Sequence, residues 1–112
     1  MAKLEKIQSR LDANSVELRR FVDVLYHAGN EVRFRMLYMI YKKERVVKEI
    51  AEVMNMSMPA TAQHLQKLRK VNLVDGFTDK KIIHYTLHPE NAKILKSLFR
   101  EFDRQIGDES DD

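Results

Sequence analysis

The chain has 112 residues, of which 44% are hydrophobic and 33% are charged, and its net charge is +3. This is enough apolar material for one small domain that receives help from a partner, and the lack of cysteine excludes disulfides and thiolate metal sites. Its apolar runs fall short of the roughly 20 residues of a membrane span and the N-terminus lacks a signal-peptide core, so we expect a cytoplasmic protein with no membrane partner.

The N-terminal segment carries apolar residues at alternating steps of three and four, which is the pattern of a coiled-coil seam. They are Leu4, Ile7, Leu11, Leu18, Phe21 and Leu25. A continuous helix of this length would extend about 38 Å, too far for a small domain to cover its stripe alone, so a partner helix is implied. Asn14 occupies the missing seam position. Either it lies in the seam and fixes the register, or the helix breaks near residues 12–15 and Asn14 caps a second helix.

Two short helices are predicted in the middle of the chain. Apolar residues at helical spacing indicate one helix over residues 46–54, and a short connection leads to a second helix that starts at Ser57. Ser57 is a favourable N-cap, and Pro59 suits the first turn because its missing N–H has no partner there. Two helices joined by about three residues form a helix-turn-helix.

The second of these helices has two different faces. One is an apolar stripe made of Met58, Thr61, Leu65 and Leu68. The other has short or hydrogen-bonding side chains, at Ala60, Gln63, His64 and Lys67. Such a face suits the base edges of a DNA major groove, although an apolar stripe alone is as typical of an ordinary core helix.

A β-hairpin is predicted over residues 73–87, where two β-prone runs flank a polar tip at Asp79, Lys80 and Lys81. On the second strand, alternate residues from Ile83 to Leu87 would cover the helical core while the others stay wetter. The two lysines would then reach phosphates beside a docked helix, although a solvated turn is the ordinary alternative.

The C-terminal segment begins with a last predicted helix, which runs from Pro89 to about Ile106 on the spacing of its apolar residues. We expect residues 1–106 to form a single domain and residues 107–112 to form a disordered acidic tail. Four of the 17 acidic residues lie in this tail, so the remaining chain is more basic than its net charge suggests and better suited to a polyanion.

From about residue 28 to residue 87, the order of these elements resembles the ArsR/SmtB family of bacterial winged-helix repressors. Residues 30–37, NEVRFRML, are similar to the family's second-helix signature, with Glu31 in place of the usual Pro. The recognition-helix pattern of the family matches Ser57, Thr61, His64, Leu65 and Leu68. Its inner Ser is replaced here by Ala62.

The wing pattern of the family is similar to residues 73–74 and 85–87, with three departures between them. Phe77 and Thr78 stand where arginines are usual, and Lys80 stands where the family has Gly. The resemblance implies a mostly α fold with a small antiparallel β-hairpin, namely a winged helix-turn-helix of five helices and a two-stranded wing. It also implies a dimer built by the first and last helices.

By function, the resemblance implies a homodimeric repressor that binds double-stranded DNA sequence-specifically and occludes a promoter at a palindromic operator. Gln63 and His64 would read bases, and Lys80 and Lys81 would touch the flanks. The expected phosphate contacts are Ser57, Thr61, Lys67 and Lys70. Ala60 completes the expected DNA-binding surface. The alternative is a winged-helix module that binds protein, because a fold alone does not decide function.

Neither catalysis nor a cofactor is indicated. Metal sensors of the resembled family carry cysteines in the third helix or Asp and His pairs in the last, whereas here residues 48–53 contain no thiol and residues 89–106 no His. His27, His84 and His88 are spaced too loosely to predict a metal site over solvated or hydrogen-bonded histidines. No nucleophile or phosphate-loop motif is present, so we expect no enzyme, and the effector stays unknown.

Overall fold

Six helices and three short strands make up the residues that the structure, a computed structural model, describes, namely 2–107. The helices are α1 (Ala2–Ala13), α2 (Ser15–Ala28), α3 (Glu31–Lys42), α4 (Val47–Met54), α5 (Met58–Lys70) and α6 (Ala92–Ile106). The strands are β1 (Arg45–Val46), β2 (Val74–Asp79) and β3 (Ile82–Leu87). Beyond Gly107, the expected acidic tail lies outside the described residues. No helix within the described range is long and apolar enough to cross a membrane.

The N-terminal helix is interrupted at Asn14, so five predicted helices become six. The backbone of Asn14 leaves the helical region, with φ −118° and ψ 39°, and its side chain makes no capping bond to α2. Instead, its Nδ2 donates a hydrogen bond to the carbonyl of Arg10 at 2.7 Å. The side chain therefore satisfies one of the carbonyls left without a partner where α1 ends. Of the two interpretations of Asn14, the helix break is confirmed, whereas capping of the second helix is not.

The hydrophobic core is organised around α3, which packs against α2, α4, α6 and the sheet. Met36 and Leu37 of α3 are fully buried. Phe99 of α6 is also fully buried, and its ring lies 5.0 Å from that of Phe34 and 5.3 Å from that of Tyr41. Aromatic contacts in these geometries add to the area they bury, so this cluster holds the last helix on the core.

The predicted hairpin is confirmed, and it belongs to a sheet of three antiparallel strands in the order β1-β3-β2. The third strand was not predicted, because a segment of two residues shows no periodicity. It pairs Arg45 with Tyr85 and Val46 with His84. Tyr85 is buried, as the alternation of β3 predicted, whereas Ile83, expected on the same covered face, is 40% exposed because it lies one residue from the wing turn and beyond the core.

The apolar seam of the first two helices is uncovered in the single chain. All residues from 3 to 23 are exposed, and Leu4 keeps 70% and Phe21 48% of its surface accessible. A contiguous apolar stripe of this length is unusual on a monomeric protein and marks a surface for association.

A polar contact complements the aromatic cluster in joining α3 to α6. The Tyr38 hydroxyl donates to Oδ1 of Asp103 at 2.5 Å, and Lys42 Nζ lies 3.0 Å from Oδ2 of the same carboxylate. Hydrogen bonds from Tyr38 and then Lys42 lower the pKa of Asp103. Burial, followed by the bond to Asp103, raises the pKa of Tyr38.

Asp103→Asn is expected to remove part of the acid dependence of stability. Because the folded-state pKa of Asp103 is lowered, its contribution is full above the ordinary Asp pKa of about 3.9 and is lost as pH falls through the lowered value. The urea midpoint of the wild type should therefore fall more steeply below about pH 4 than that of the variant. Asp79→Asn, the same change at the exposed wing, is the control. Equal acid dependence in wild type and Asp103→Asn would contradict this role.

Candidate nucleic-acid interface

The turn between α4 and α5 is built by local hydrogen bonds. Asn55 ends α4 in the left-handed conformation, with φ 54°, and its N–H reaches the carbonyls of Ala51 and Glu52. Ser57 then caps α5, because its Oγ accepts a hydrogen bond from the N–H of Ala60 at 3.2 Å. These bonds set the angle at which α5 leaves the core, and the predicted helix-turn-helix is present.

One face of α5 is anchored in the core. Thr61 and Leu65 are fully buried and Leu68 is 1% exposed, whereas Met58, predicted to share their stripe, is 51% exposed. The hydroxyl of Thr61 donates to the carbonyl of Ser57 at 2.9 Å. The prediction that Thr61 holds a phosphate is therefore wrong, because its only donor is used inside the helix and is shielded from any ligand.

The opposite face of α5 is exposed and carries no acidic side chain. Gln63, Lys67 and Lys70 are exposed, while Ala60 and His64 are half-buried at its edge. Two further exposed residues, Gln66 and Arg69, were missed by the sequence analysis. Gln66 lies three residues after Gln63 and Arg69 three residues after Gln66, a spacing that places neighbours on one side of a helix and could have identified both. The result is a surface of amides and cations that can bind hydrogen-bond acceptors and negative charge.

Arg69 turns toward the wing. Its Nε lies 3.8 Å from Oδ1 of Asp75, and its Nη2 donates to the Gly76 carbonyl at 3.4 Å. The same Asp75 oxygen accepts from the N–H of Gly76 at 2.8 Å. A Cβ at position 76 would come within 3.2 Å of the Ile83 side chain and 3.4 Å of Arg69 Nη1, so glycine leaves room for this contact. The last turn of α5 and the base of the wing are thus joined by side chains.

The tip of the wing presents its two lysines from an unusual backbone. Lys80 and Lys81 form the two-residue turn between β2 and β3, and they have φ 52° and 68°. Positive φ at both positions is the signature of a type I′ hairpin, which normally takes Asn-Gly. Left-handed backbone costs a residue with a Cβ about 1 kcal/mol or more. Strain of this kind is typical of functional sites, and here it accompanies two exposed cations.

The histidines outside α5 have partners of their own. Nδ1 of His84 lies 2.9 Å from Oε2 of Glu44, and the ring stacks on Phe77 with a centroid distance of 5.2 Å. Nδ1 of His88 accepts a hydrogen bond from the N–H of Glu90 at 3.0 Å. Between residues 2 and 107, no group of three or more His, Asp or Glu side chains is placed to hold a metal ion.

Comparison with known proteins places the helix-turn-helix in a family. Residues 30–75 match the family described as bacterial regulatory protein, arsR family. The cadmium resistance transcriptional regulatory protein CadC of Listeria innocua is 31% identical over 71 residues, which cover 62% of this chain and 58% of CadC. The transcriptional activator HlyU of Vibrio cholerae is 31% identical over 77 residues, which cover 69% of this chain and 71% of HlyU. The chain thus spans a little under three fifths of the length of CadC.

The fold is shared with solved structures of similar proteins. Reduced HlyU from Vibrio cholerae superimposes with a TM-score of 0.73 over 88% of this chain and 98% of HlyU, at 26% sequence identity. The crystal structure of NolR from Sinorhizobium fredii gives a TM-score of 0.64 over 80% of this chain and 90% of NolR, at 27% identity. The winged helix-turn-helix architecture is therefore confirmed.

Replacing the wing turn by Asn-Gly is expected to stabilise the fold. Lys80→Asn with Lys81→Gly relieves the strain at both positions and should raise the free energy of unfolding by about 1–2 kcal/mol, measured by urea denaturation. The matched control is Lys80→Ala with Lys81→Ala, which removes the same charges but keeps a Cβ at both positions. Equal stabilisation by the two variants would assign the gain to relief of charge repulsion and contradict the strain.

Proposed function

The chain belongs to the arsR family of bacterial regulatory proteins, and we propose that it is a homodimeric, sequence-specific DNA-binding regulator of transcription. The observation that carries the proposal is the division of α5 into a buried stripe and an exposed face without acidic residues, beside a wing with two cations at its tip. One domain over residues 1–106 would carry this face, and the proposed compartment is the bacterial cytoplasm, where promoters are accessible.

Base recognition is proposed for the exposed face of α5. An α-helix about 10–12 Å across fits a major groove about 12 Å wide. Gln63 is the principal reader, because a side-chain amide pairs in two places with adenine. Ala60 allows close approach, and the half-buried His64 would reach a base edge from the side. We add Gln66 to the proposed base-reading residues because its side chain is exposed on the same helix.

Contacts to phosphates are proposed for the ends of this surface. Lys67 and Lys70 lie on the exposed side of α5, and Ser57 retains its hydroxyl hydrogen as a donor because its Oγ only accepts from Ala60. Lys80 and Lys81 would contact the DNA backbone beside the groove. Both have positive φ in the wing turn, and such strain is typical of functional positions. Such contacts position the protein without reading sequence.

A symmetric dimer is proposed through the exposed seam of α1 and α2, together with α6. Two copies related by a two-fold axis would place their α5 helices in major grooves about 34 Å apart, and the operator would be an imperfect palindrome. Binding there would occlude the promoter and repress transcription.

Two substitutions on α5 are expected to separate base reading from phosphate binding. Gln63→Ala should reduce the preference for the operator over altered duplexes, because it removes a base contact worth about 1–3 kcal/mol. Lys67→Ala should weaken all duplexes alike and reduce the slope of log K against log salt by about one. Binding is measured by fluorescence anisotropy at several salt concentrations, with Lys96→Ala on α6 as the control. Unaltered base preference in Gln63→Ala would count against its role.

Disruption of the seam is expected to produce monomers. Phe21→Glu places a charge in the apolar stripe and should shift the sedimentation equilibrium at micromolar protein toward one chain, with loss of operator affinity. Val16→Glu is the matched control, because Val16 is 76% exposed and lies on the opposite side of α2 from the seam. A wild type that is monomeric at this concentration would overturn the proposed dimer.

A further inference from the structure

A cleft of about 380 Å³ lies beside the C-terminal half of α5, between that helix and the junction of α2 with α3. Its polar lining consists of Tyr26, His27, Arg33, His64, Lys67 and Lys70. Only the last three are on α5. The cleft is therefore a meeting place of three helices, and two of them have no part in the DNA contacts proposed above.

The lining of the cleft has one chemical character. Among the described residues that form it, none is acidic, and every polar side chain is either a cation or a hydrogen-bond donor. The remaining lining residues, Leu68 and Val71, are apolar. An occupant with several acceptor oxygens and negative charge would match these walls, and a phosphate group has that chemistry.

The Arg33 side of the cleft is held in place before any ligand arrives. Nε of Arg33 donates to the carbonyl of His27 at 2.5 Å, and its Nη2 lies 3.5 Å from the carbonyl of Tyr26. These bonds tie α3 to the last carbonyls of α2. The rings of Tyr26 and His27 meet edge to face at 5.1 Å. The Arg33 side chain therefore needs little further ordering when a ligand enters the cleft, which favours binding.

We propose that this cleft binds a DNA backbone phosphate, so that Tyr26 and His27 of α2 grip the strand that runs alongside α5. The inference rests on the proposed function and extends it to residues outside the helix-turn-helix and the wing. A strand of duplex is the preferred occupant over a free anion, because Lys67 and Lys70 belong to the cleft and to the exposed face of α5. The hydroxyl of Tyr26 is accessible, since the residue is 72% exposed.

Tyr26→Phe tests the proposal with the loss of a single oxygen. Affinity for the operator duplex should fall about three- to tenfold, as expected for the loss of one hydrogen bond of about 1 kcal/mol at an exposed position. The loss should be the same for all DNA sequences. Because tyrosine carries no charge, the slope of log K against log salt should not change, whereas Lys70→Ala should lower that slope by about one. Tyr41→Phe, the same change in the core, is the control, and urea midpoints verify that the variants are folded.

The source of the phosphate is identified by a double-mutant cycle with modified DNA. Duplexes carrying one neutral methylphosphonate at successive positions are titrated with wild type and Tyr26→Phe. At one flanking position the modification should weaken the wild type but have no further effect on the variant. Independent losses at all positions overturn the proposal. In a parallel titration with inorganic phosphate, saturable binding that is lost in Tyr26→Phe, without coupling to any DNA position, would assign the cleft to a free anion and overturn it as well.

Failure of the two proposals can be told apart. If the wild type does not bind duplex DNA even at low salt, the proposed function is wrong, and the assignment of the cleft to a DNA phosphate is wrong with it. If the wild type binds DNA with a steep salt dependence while Tyr26→Phe binds equally well, only the assignment of the cleft is overturned.

Discussion

The burial of one face of α5 is the constraint on which the proposed DNA surface depends. Leu65 and Leu68 enter the core almost completely, and full burial of a leucine side chain contributes about 1.5–3 kcal/mol. Rotation of α5 about its axis would expose these residues and the hydroxyl of Thr61. The face that carries Gln63 and Lys67 therefore points away from the core for reasons unrelated to any ligand, which gives a rigid platform for base recognition.

The wing is held differently. The end of the wing nearest the core is connected to β1 through β3 and is joined to α5 by Arg69. Residues 77–83 are all exposed and are held mainly by the backbone pairing of β2 with β3, with the stack of Phe77 on His84 beside it. An exposed ion pair such as that of Arg69 with Asp75 contributes little to stability. Its role is to set the orientation of the wing relative to α5. Because α5 is fixed by burial, it suits the proposed base recognition. The wing is fixed by hydrogen bonds and suits less specific contacts to phosphates.

In this arrangement α2 serves two surfaces. Leu18 and Phe21 belong to the exposed apolar seam, while Tyr26 and His27, one or two turns later, line the basic cleft beside α5. The break at Asn14 separates α2 from α1, so the cleft shares its helix with only the second half of the seam. The proposed dimer contacts and the proposed DNA contacts would then be carried by one helix, which offers a direct mechanical link between them.

The sequence by itself determined the features that depend on only a few neighbouring residues. The cap at Ser57, the buried part of the α5 stripe and the hairpin were predicted, because capping and hydrophobic period are local properties. Met58 and Ile83 were expected to share the covered faces but are exposed, because each lies near the end of its element, beyond the core. The proposed function was predicted from a family resemblance that rests on the same local motifs. Tertiary structure alone decided the side-chain roles that depend on distant segments. Thr61 has a hydroxyl that suits a phosphate or the core, and only the packing of α5 on the rest of the chain chose the core. Two further features likewise join residues that are far apart in the chain, namely the pairing of β1 with β3 and the cleft that Tyr26 and Arg33 form with α5. Local hydrophobic periodicity cannot predict such contacts.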